Sequence, residues 1–126
     1  MQSEAPIQER LSSAQSEVRA AALSELLQSG ADASAHLQAV AACVRDPSEP
    51  LRIPALLLLS RIGPPAVEAL SRGLDPQQPL SVRTAAAALI AGIGPSAAAA
   101  VRELCRCLTA EDETLRKAAT VALAKI

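Results

Sequence analysis

The sequence predicts an all-α protein, a right-handed α-solenoid of about four helical hairpins in one domain spanning residues 1–126. Two observations support this prediction. An aliphatic residue followed by Arg and small residues recurs four times, with arginines 33, 31 and 33 residues apart at Arg19, Arg52, Arg83 and Arg116. The composition is half apolar but lacks Phe, Tyr and Trp. This favours thin helical layers, because Ala and Leu are strong helix formers and a thick core normally relies on aromatic side chains.

Each motif predicts a helix with one apolar face. Counted from the aliphatic residue that opens the motif, apolar side chains recur at +4, +7, +8 and +11, which places them on one side of an α-helix. The third motif gives the pattern as Val82, Ala86, Leu89, Ile90 and Ile93. In the first three motifs Gly follows at +12, where a left-handed C-cap is expected to end the helix.

A second apolar helix is predicted between successive motifs, at about 33–45, 65–74 and 96–108. The middle one is shorter and the loop 75–81 after it is longer, which explains the spacing of 31 residues. The helical hairpins are therefore expected at about 7–30, 31–63, 64–94 and 95–126, the first with a shortened first helix. One hairpin cannot bury its apolar face alone, so neighbouring hairpins are expected to stack.

Residues 46–63 resemble a HEAT repeat, especially the short phycobilisome-lyase-like type. The resemblance is carried by Asp46, the short turn after it, Leu51-Arg52, and the closing Ile62-Gly63, and similar segments cover nearly the whole chain. It implies a curved stack whose motif helices line the concave face. It also implies a ladder between repeats, in which the four motif arginines meet the turn acids Asp46, Asp75 and Asp112. No Asp precedes the first motif arginine at the matching place, so that rung departs from the family pattern.

The charge balance argues against nucleic acid as a partner. Lys and Arg number 12 and Asp and Glu number 13, whereas nucleic-acid binding needs an excess of cations and often aromatic side chains that stack on bases. The N-terminal residues 1–10 lack the apolar core of a secretory signal. Apolar runs such as 53–59 are too short to cross a membrane. The sequence thus predicts a cytoplasmic protein with no nucleic-acid or membrane partner.

No catalytic, cofactor or metal site is predicted, because no nucleophile, base or ligand cluster is assembled. His36 is the only histidine. The three cysteines, Cys43, Cys105 and Cys107, lack zinc or redox spacing and are expected to be small buried hydrophobes. The acidic run 111–113 is expected to cap a helix. The resemblance raises a bilin-lyase-like enzyme subunit as an alternative, but the chain has no aromatic residue to stack on a tetrapyrrole.

A protein-protein interaction scaffold is the function that the sequence favours. The motif helices are expected to turn positions +2, +5, +6, +9 and +10 away from their partner helices. A shallow apolar groove edged by basic residues there would suit the apolar face of a partner helix with acidic residues near its rim. Burial of much of this surface between neighbouring motif helices is the alternative. The candidate contact residues are Leu23, Leu27, Leu56, Leu57, Arg61, Lys117, Val121 and Lys125.

The two ends of the predicted stack differ. The first motif has the polar residues Glu25 and Ser29 where apolar side chains are otherwise found, whereas the last motif keeps Leu123 and Ile126. An apolar open end predicts a covered surface. Another chain or a continuation of this one is expected to cover it, and docking of another protein and end-to-end self-association are both left open.

Overall fold

A computed structural model describes residues 6–30 and 32–126. No strand occurs in these two ranges, so the all-α prediction is confirmed. Short 3₁₀ turns extend α3 and α5 at both ends and precede α4 and α7. The α-helices are α1 (Ile7–Leu11), α2 (Ser16–Ser29), α3 (Leu37–Ala42), α4 (Arg52–Ile62), α5 (Val67–Ser71), α6 (Leu80–Ile93), α7 (Val101–Cys107) and α8 (Glu113–Lys125).

Each predicted hairpin range contains two of these helices, which we call a helix pair. The pairs are α1 with α2, α3 with α4, α5 with α6, and α7 with α8, and the second helix of each pair carries the motif. Consecutive motif helices contact each other: α2 packs on α4, α4 on α6, and α6 on α8. The first helices also meet, as α1 contacts α3 and α5 contacts the 3₁₀ turn before α7.

The core is built from aliphatic side chains that repeat from pair to pair. Position +4 is alanine in every motif and is fully buried in all four, at Ala22, Ala55, Ala86 and Ala119. Such small side chains allow the helices to approach closely. Larger aliphatic residues fill the space around them, and burial of each contributes about 1.5–3 kcal/mol relative to exposure. The largest fully buried side chains include Leu23, Leu56, Leu58, Leu59, Leu70, Ile90, Leu104 and Leu115.

The first three motif helices end at glycines with positive φ, as predicted, but only one has the expected left-handed cap. Gly30 has φ 68° and ψ 8°. Gly63 and Gly94 have ψ of −140° and −142°. Each of these two precedes a proline, whose ring excludes helical ψ from the residue before it. The pre-proline glycines therefore take an extended ψ that turns the chain directly into the next helix.

One continuous helical stretch, Leu80–Cys107, is long and apolar enough to cross a membrane by length and composition alone. The expectation that the chain has no membrane partner stays a prediction. The backbone nevertheless breaks within the stretch, at Gly94 with φ 78° and at Ala97 with non-helical φ and ψ. The uninterrupted helix α6 has 14 residues and measures about 21 Å, less than the roughly 30 Å of a bilayer core. The stretch is weak grounds for a membrane span. The prediction that no signal segment is present concerns residues 1–10, of which 1–5 lie outside the described ranges.

Candidate protein-binding surface

The inner motif helices α4 and α6 each pack against two neighbouring pairs, whereas α2 and α8 each pack against one. Position +5 is buried in the three motifs that have a following pair, at Leu23, Leu56 and Ala87, and is exposed at Thr120 in the last motif. Position +7 shows the reverse, since Glu25 in the first motif is exposed and its counterparts are buried or partly buried. Position +5 therefore faces the following pair, and position +7 faces the preceding pair.

This packing corrects part of the predicted groove. Leu23 and Leu56 have only 1% and 0% of their surface exposed, so they belong to the core and cannot contact a partner. Leu27 is partly buried and packs against the same core. The prediction was wrong for Leu23 and Leu56, because contact between consecutive motif helices buries the side chain at position +5.

Positions +6 and +10 form the surface that stays open in all four motifs. We call this surface the exposed stripe. It includes Leu57, Arg61, Val121 and Lys125, which the sequence predicted as contact residues. The complete set of exposed residues at these positions is Ser24, Gln28, Leu57, Arg61, Ala88, Gly92, Val121 and Lys125.

The exposed stripe carries two large apolar side chains that are open to solvent. Leu57 is 40% exposed and Val121 is 49% exposed. In the third motif, which lies between those of Leu57 and Val121, the stripe positions hold the small residues Ala88 and Gly92. Side chains therefore project little from this part of the stripe. A shallow depression of about 580 Å³ adjoins Ala88. It is lined by Leu80, Ser81, Thr84, Ala85, Ala88, Asp112 and Thr114. Exposed apolar surface of this kind is typical of interaction sites.

The predicted basic edge is present, but two of its residues already have bonding partners. Arg61 donates from Nη1 to the carbonyl oxygen of Leu27 at 2.8 Å, which ties α4 to the last turn of α2. Lys117 forms an exposed ion pair with Glu113 at 3.1 Å. An exposed ion pair contributes at most about 1 kcal/mol, so Lys117 can be redirected to a bound ligand at low cost.

A partly buried ion pair connects the first two helix pairs. Arg19 donates from Nε to Oδ2 of Asp46 at 2.7 Å and from Nη2 to Oδ1 at 2.8 Å. Burial raises the pKa of the Asp46 carboxyl, but the hydrogen bonds from Arg19 and from the Ser48 amide outweigh it, so the pKa lies below its ordinary value of 3.8. Arg19 therefore pairs with the turn acid of the following helix pair.

The second rung uses an amide that the sequence analysis missed. Arg52 donates from Nη1 to Oε1 of Gln78 at 3.0 Å. Gln78 is buried, and its Nε2 donates to the carbonyl oxygen of Val44 at 2.9 Å. Gln78 lies five residues before a motif arginine, close to the six-residue offset of Asp46 from Arg52, and this register was the available signal.

The other two acids predicted for the ladder have different roles. Asp75 lies 3.7 Å from Arg45 in an exposed pair and accepts from the Gln77 amide at 2.8 Å. Asp112 accepts from the Leu115 amide at 2.9 Å and is the N-cap of α8. The prediction that both meet motif arginines was wrong, because Asp75 pairs with Arg45 instead and Asp112 caps α8. Capping by the acidic run 111–113 is confirmed.

All four motif arginines share one further bond. Each donates to a carbonyl oxygen of its own turn at 2.7–3.0 Å, at Ser13, Asp46, Gln78 and Ala110 respectively. The same turn residue also presents its side chain to the preceding pair, as Asp46 and Gln78 do. At the third junction this residue is Ala110, which has no acceptor for Arg83.

The reactive side chains do not assemble a chemical site. Cys43 and Cys107 are buried, and burial raises the pKa of both thiols. Cys105 is exposed, so the expectation that all three cysteines are buried was wrong for it. His36 Nδ1 lies 2.8 Å from Oε1 of Gln8. Within residues 6–30 and 32–126, no group of three or more His, Cys, Asp or Glu side chains could hold a metal ion.

Comparison with known proteins identifies no family. No protein-family description matches the chain, and no curated protein shows significant similarity to it. The resemblance to HEAT repeats therefore stays a prediction from the sequence.

Proposed function

We propose that this chain is a HEAT-like α-solenoid that serves as a protein-protein interaction scaffold, with the exposed stripe as its principal contact surface. The observation that carries the proposal is the persistent exposure of positions +6 and +10 in four successive motifs, with Leu57 and Val121 open to solvent. A surface that repeats along stacked helices is suited to an extended ligand.

The stacked arrangement is supported by the order of contacts. Motif helices meet in sequence, and one structural rule, an arginine bonded to its own turn, operates in every pair. Two of these arginines also reach the turn of the following pair. These contacts would arise from a linear stack of hairpins, in which each pair touches only its neighbours.

The chemistry of the exposed stripe favours an amphipathic helix as the partner. Leu57 and Val121 would contact its apolar face, while Ala88 and Gly92 allow close approach. Arg61, Lys117 and Lys125 would meet acidic residues along its edge. Charge at the rim contributes mainly to the association rate and orientation, so the apolar residues are expected to supply most of the affinity.

The test is affinity capture from extract of the native cells with the full chain and a Leu57→Glu/Val121→Glu double variant. Both residues are exposed, so the variant should keep its helicity by circular dichroism. Specific partners that the original chain retains should be reduced about tenfold or more by the double variant, because two charges would enter an apolar contact.

The matched control is Ala42→Glu, which adds the same charge at an exposed position of α3. It should retain the partners at the level of the original chain. Unchanged capture by the folded double variant would show that the exposed stripe is not the contact surface.

A further inference from the structure

We propose that a polar cavity between the turns of the second and third helix pairs binds a tetrahedral oxyanion, a phosphate or sulfate group. We call it the turn cavity. It has a volume of about 210 Å³ and is lined by Arg45, Arg52, Gln77 and Gln78. None of these residues belongs to the exposed stripe, so this site goes beyond the proposed function and does not depend on it.

The lining of the turn cavity supplies positive charge and hydrogen-bond donors. Two of the four residues are arginines and two are glutamines, and no acidic side chain of the described residues lines the cavity. The adjoining cleft shares Arg45 but has equal numbers of positive and negative side chains. Its charged residues are Arg45, Arg72, Arg106, Glu68, Asp75 and Glu103. An anion is therefore favoured in the turn cavity over the adjoining cleft.

The turn cavity lies at the junction between the second and third pairs, where the guanidinium has no bound counter-charge. At the preceding junction Arg19 meets both carboxylate oxygens of Asp46, at 2.7 and 2.8 Å. Arg52 instead meets the neutral amide oxygen of Gln78 at 3.0 Å. The Asp46 carboxylate also acts on Arg52 through space, but both of its oxygens are bonded to Arg19. An anion in the cavity would supply the missing charge.

Several donors around the cavity are open to such a ligand. Arg52 uses Nε and Nη1 within the protein, while its Nη2 bonds no described residue. Arg45 is 61% exposed, and the 3.7 Å to its ion-pair partner Asp75 exceeds hydrogen-bond distance. Gln77 is exposed, and only its backbone amide is bonded within the described residues. Three side chains that donate from different directions suit a tetrahedral oxyanion, because one guanidinium can satisfy both oxygens of a carboxylate.

The inner half of the turn cavity is fixed before any ligand arrives. Gln78 is 6% exposed, and its Nε2 donates to the carbonyl oxygen of Val44 at 2.9 Å. Arg52 is held on both sides, by Gln78 and by the carbonyl oxygen of Asp46 at 2.8 Å. Binding would therefore order only the exposed side chains of Arg45 and Gln77, which limits its entropic cost.

The test is a titration of the isotope-labelled full chain with sodium phosphate at neutral pH, followed by heteronuclear NMR at an ionic strength held constant with sodium chloride. The Nε–H signal of Arg52 and the side-chain amide signals of Gln77 and Gln78 should shift together and saturate on one isotherm. Sodium sulfate should do the same. Sodium acetate should bind at least about tenfold more weakly, since it leaves donors unfilled.

Methyl phosphate distinguishes a free ion from an esterified group as the source of the oxyanion. Tighter binding than inorganic phosphate would support a phosphate ester as the ligand, and weaker binding would support the free ion.

Two variants with matched controls locate the binding site. Arg45→Gln should weaken phosphate binding about tenfold or more, and Arg102→Gln, which removes an exposed arginine of α7, should leave it unchanged. Gln77→Glu places a carboxylate in the cavity and should weaken binding by at least the same factor, whereas Gln38→Glu at an exposed position of α3 should not. All four positions are exposed, so circular dichroism should show unchanged helicity.

Three results would overturn the proposal. The first is no saturable shift of the three side-chain signals with phosphate or sulfate. The second is equal affinity for acetate and phosphate. The third is phosphate binding that persists undiminished in the folded Arg45→Gln and Gln77→Glu variants.

Discussion

The junctions between helix pairs solve the same packing problem in two ways. The first two junctions join an arginine of one pair to a buried side chain of the next, Arg19 to Asp46 and Arg52 to Gln78. At the third junction the corresponding turn residue is Ala110, whose side chain offers Arg83 no acceptor. There α6 contacts α8, and the buried residue at position +5 is the small Ala87. One repeat design thus tolerates either polar bonding or close helix approach.

The difference between the junctions indicates which contacts fix the register between helix pairs and which contribute mainly to packing energy. A bidentate guanidinium–carboxylate pair is directional and fixes the register between two pairs. Alanine contacts are less directional, but close approach increases dispersion contacts along the whole helix. The polar junctions should therefore respond sharply to single substitutions, and the alanine junction should respond mainly to added volume.

The largest expected change in unfolding free energy comes from truncating Leu56, and its neighbour Leu57 in α4 serves as the comparison. Leu56→Ala should lower the free energy of unfolding by about 3 kcal/mol, because it opens a cavity at the second junction. Leu57→Ala should change it by less than about 0.5 kcal/mol, since Leu57 is on the exposed stripe. Urea unfolding followed by circular dichroism measures both. Equal costs would mean that the buried and exposed sides of α4 are misassigned.

A smaller effect is expected from filling the close approach at the second junction. A Cβ at Gly73 would lie 2.9 Å from Cβ of Ala86 and 3.1 Å from Cδ2 of Leu56. Gly73→Ala should therefore cost about 1–3 kcal/mol. Gly92 has open space around it in α6, and Gly92→Ala should stabilise by about 0.5–1 kcal/mol through helix propensity. Thermal unfolding of the two variants should show shifts of opposite sign.

The pH dependence of stability tests the polar first junction. The pKa of Asp46 is below its ordinary value of 3.8, so the stabilisation it gives is present above the unfolded pKa and is lost as pH falls through the folded pKa. The difference in unfolding free energy between the original chain and Asp46→Asn should be constant at neutral pH and shrink below about pH 4. Asp75→Asn, at an exposed pair, should give a smaller difference. A gap for Asp46→Asn that persists undiminished to about pH 2 would contradict this role of the carboxylate.

The smallest expected change in stability comes from adding a side-chain acceptor for Arg83 at the third junction. Ala110→Asp should place a carboxylate within reach of Arg83 and stabilise the chain by about 0.5–1 kcal/mol. Ala110→Asn offers an acceptor without adding charge beside Glu111 and Asp112, and it separates hydrogen bonding from repulsion within the acidic run. Destabilisation by both variants would show that this turn does not share the register of Asp46.

Much of this organisation could be predicted from the sequence, because helix periodicity, glycine stops and the arginine repeat are local signals. These signals predicted the order of the helices. The polar residues Glu25 and Ser29 predicted the open side of the first motif helix, where both are exposed. The ladder was only partly predictable. Asp46 was identified, but its partner lies 27 residues earlier in the chain. Gln78 was not predicted, because its position five residues before Arg83 is its only signal and an amide there is less distinctive than an acid.

The candidate surface was harder to predict than the fold. Positions +5 and +6 are adjacent on the helix and both hold Leu in α4, so composition cannot separate Leu56 from Leu57. Their exposure is decided by the angle at which the following pair packs, which is a tertiary property. The same reason explains Cys105, which is exposed although Cys107 two residues later is buried.

The most direct test of the account is a double-mutant cycle on Arg19 and Asp46, with unfolding free energies measured for the original chain, Arg19→Ala, Asp46→Ala and the double variant. If arginines lock the first and second helix pairs to the turn of the pair that follows, the two residues should couple by about 1.5–3 kcal/mol. Additive effects, within about 0.5 kcal/mol, would contradict that claim.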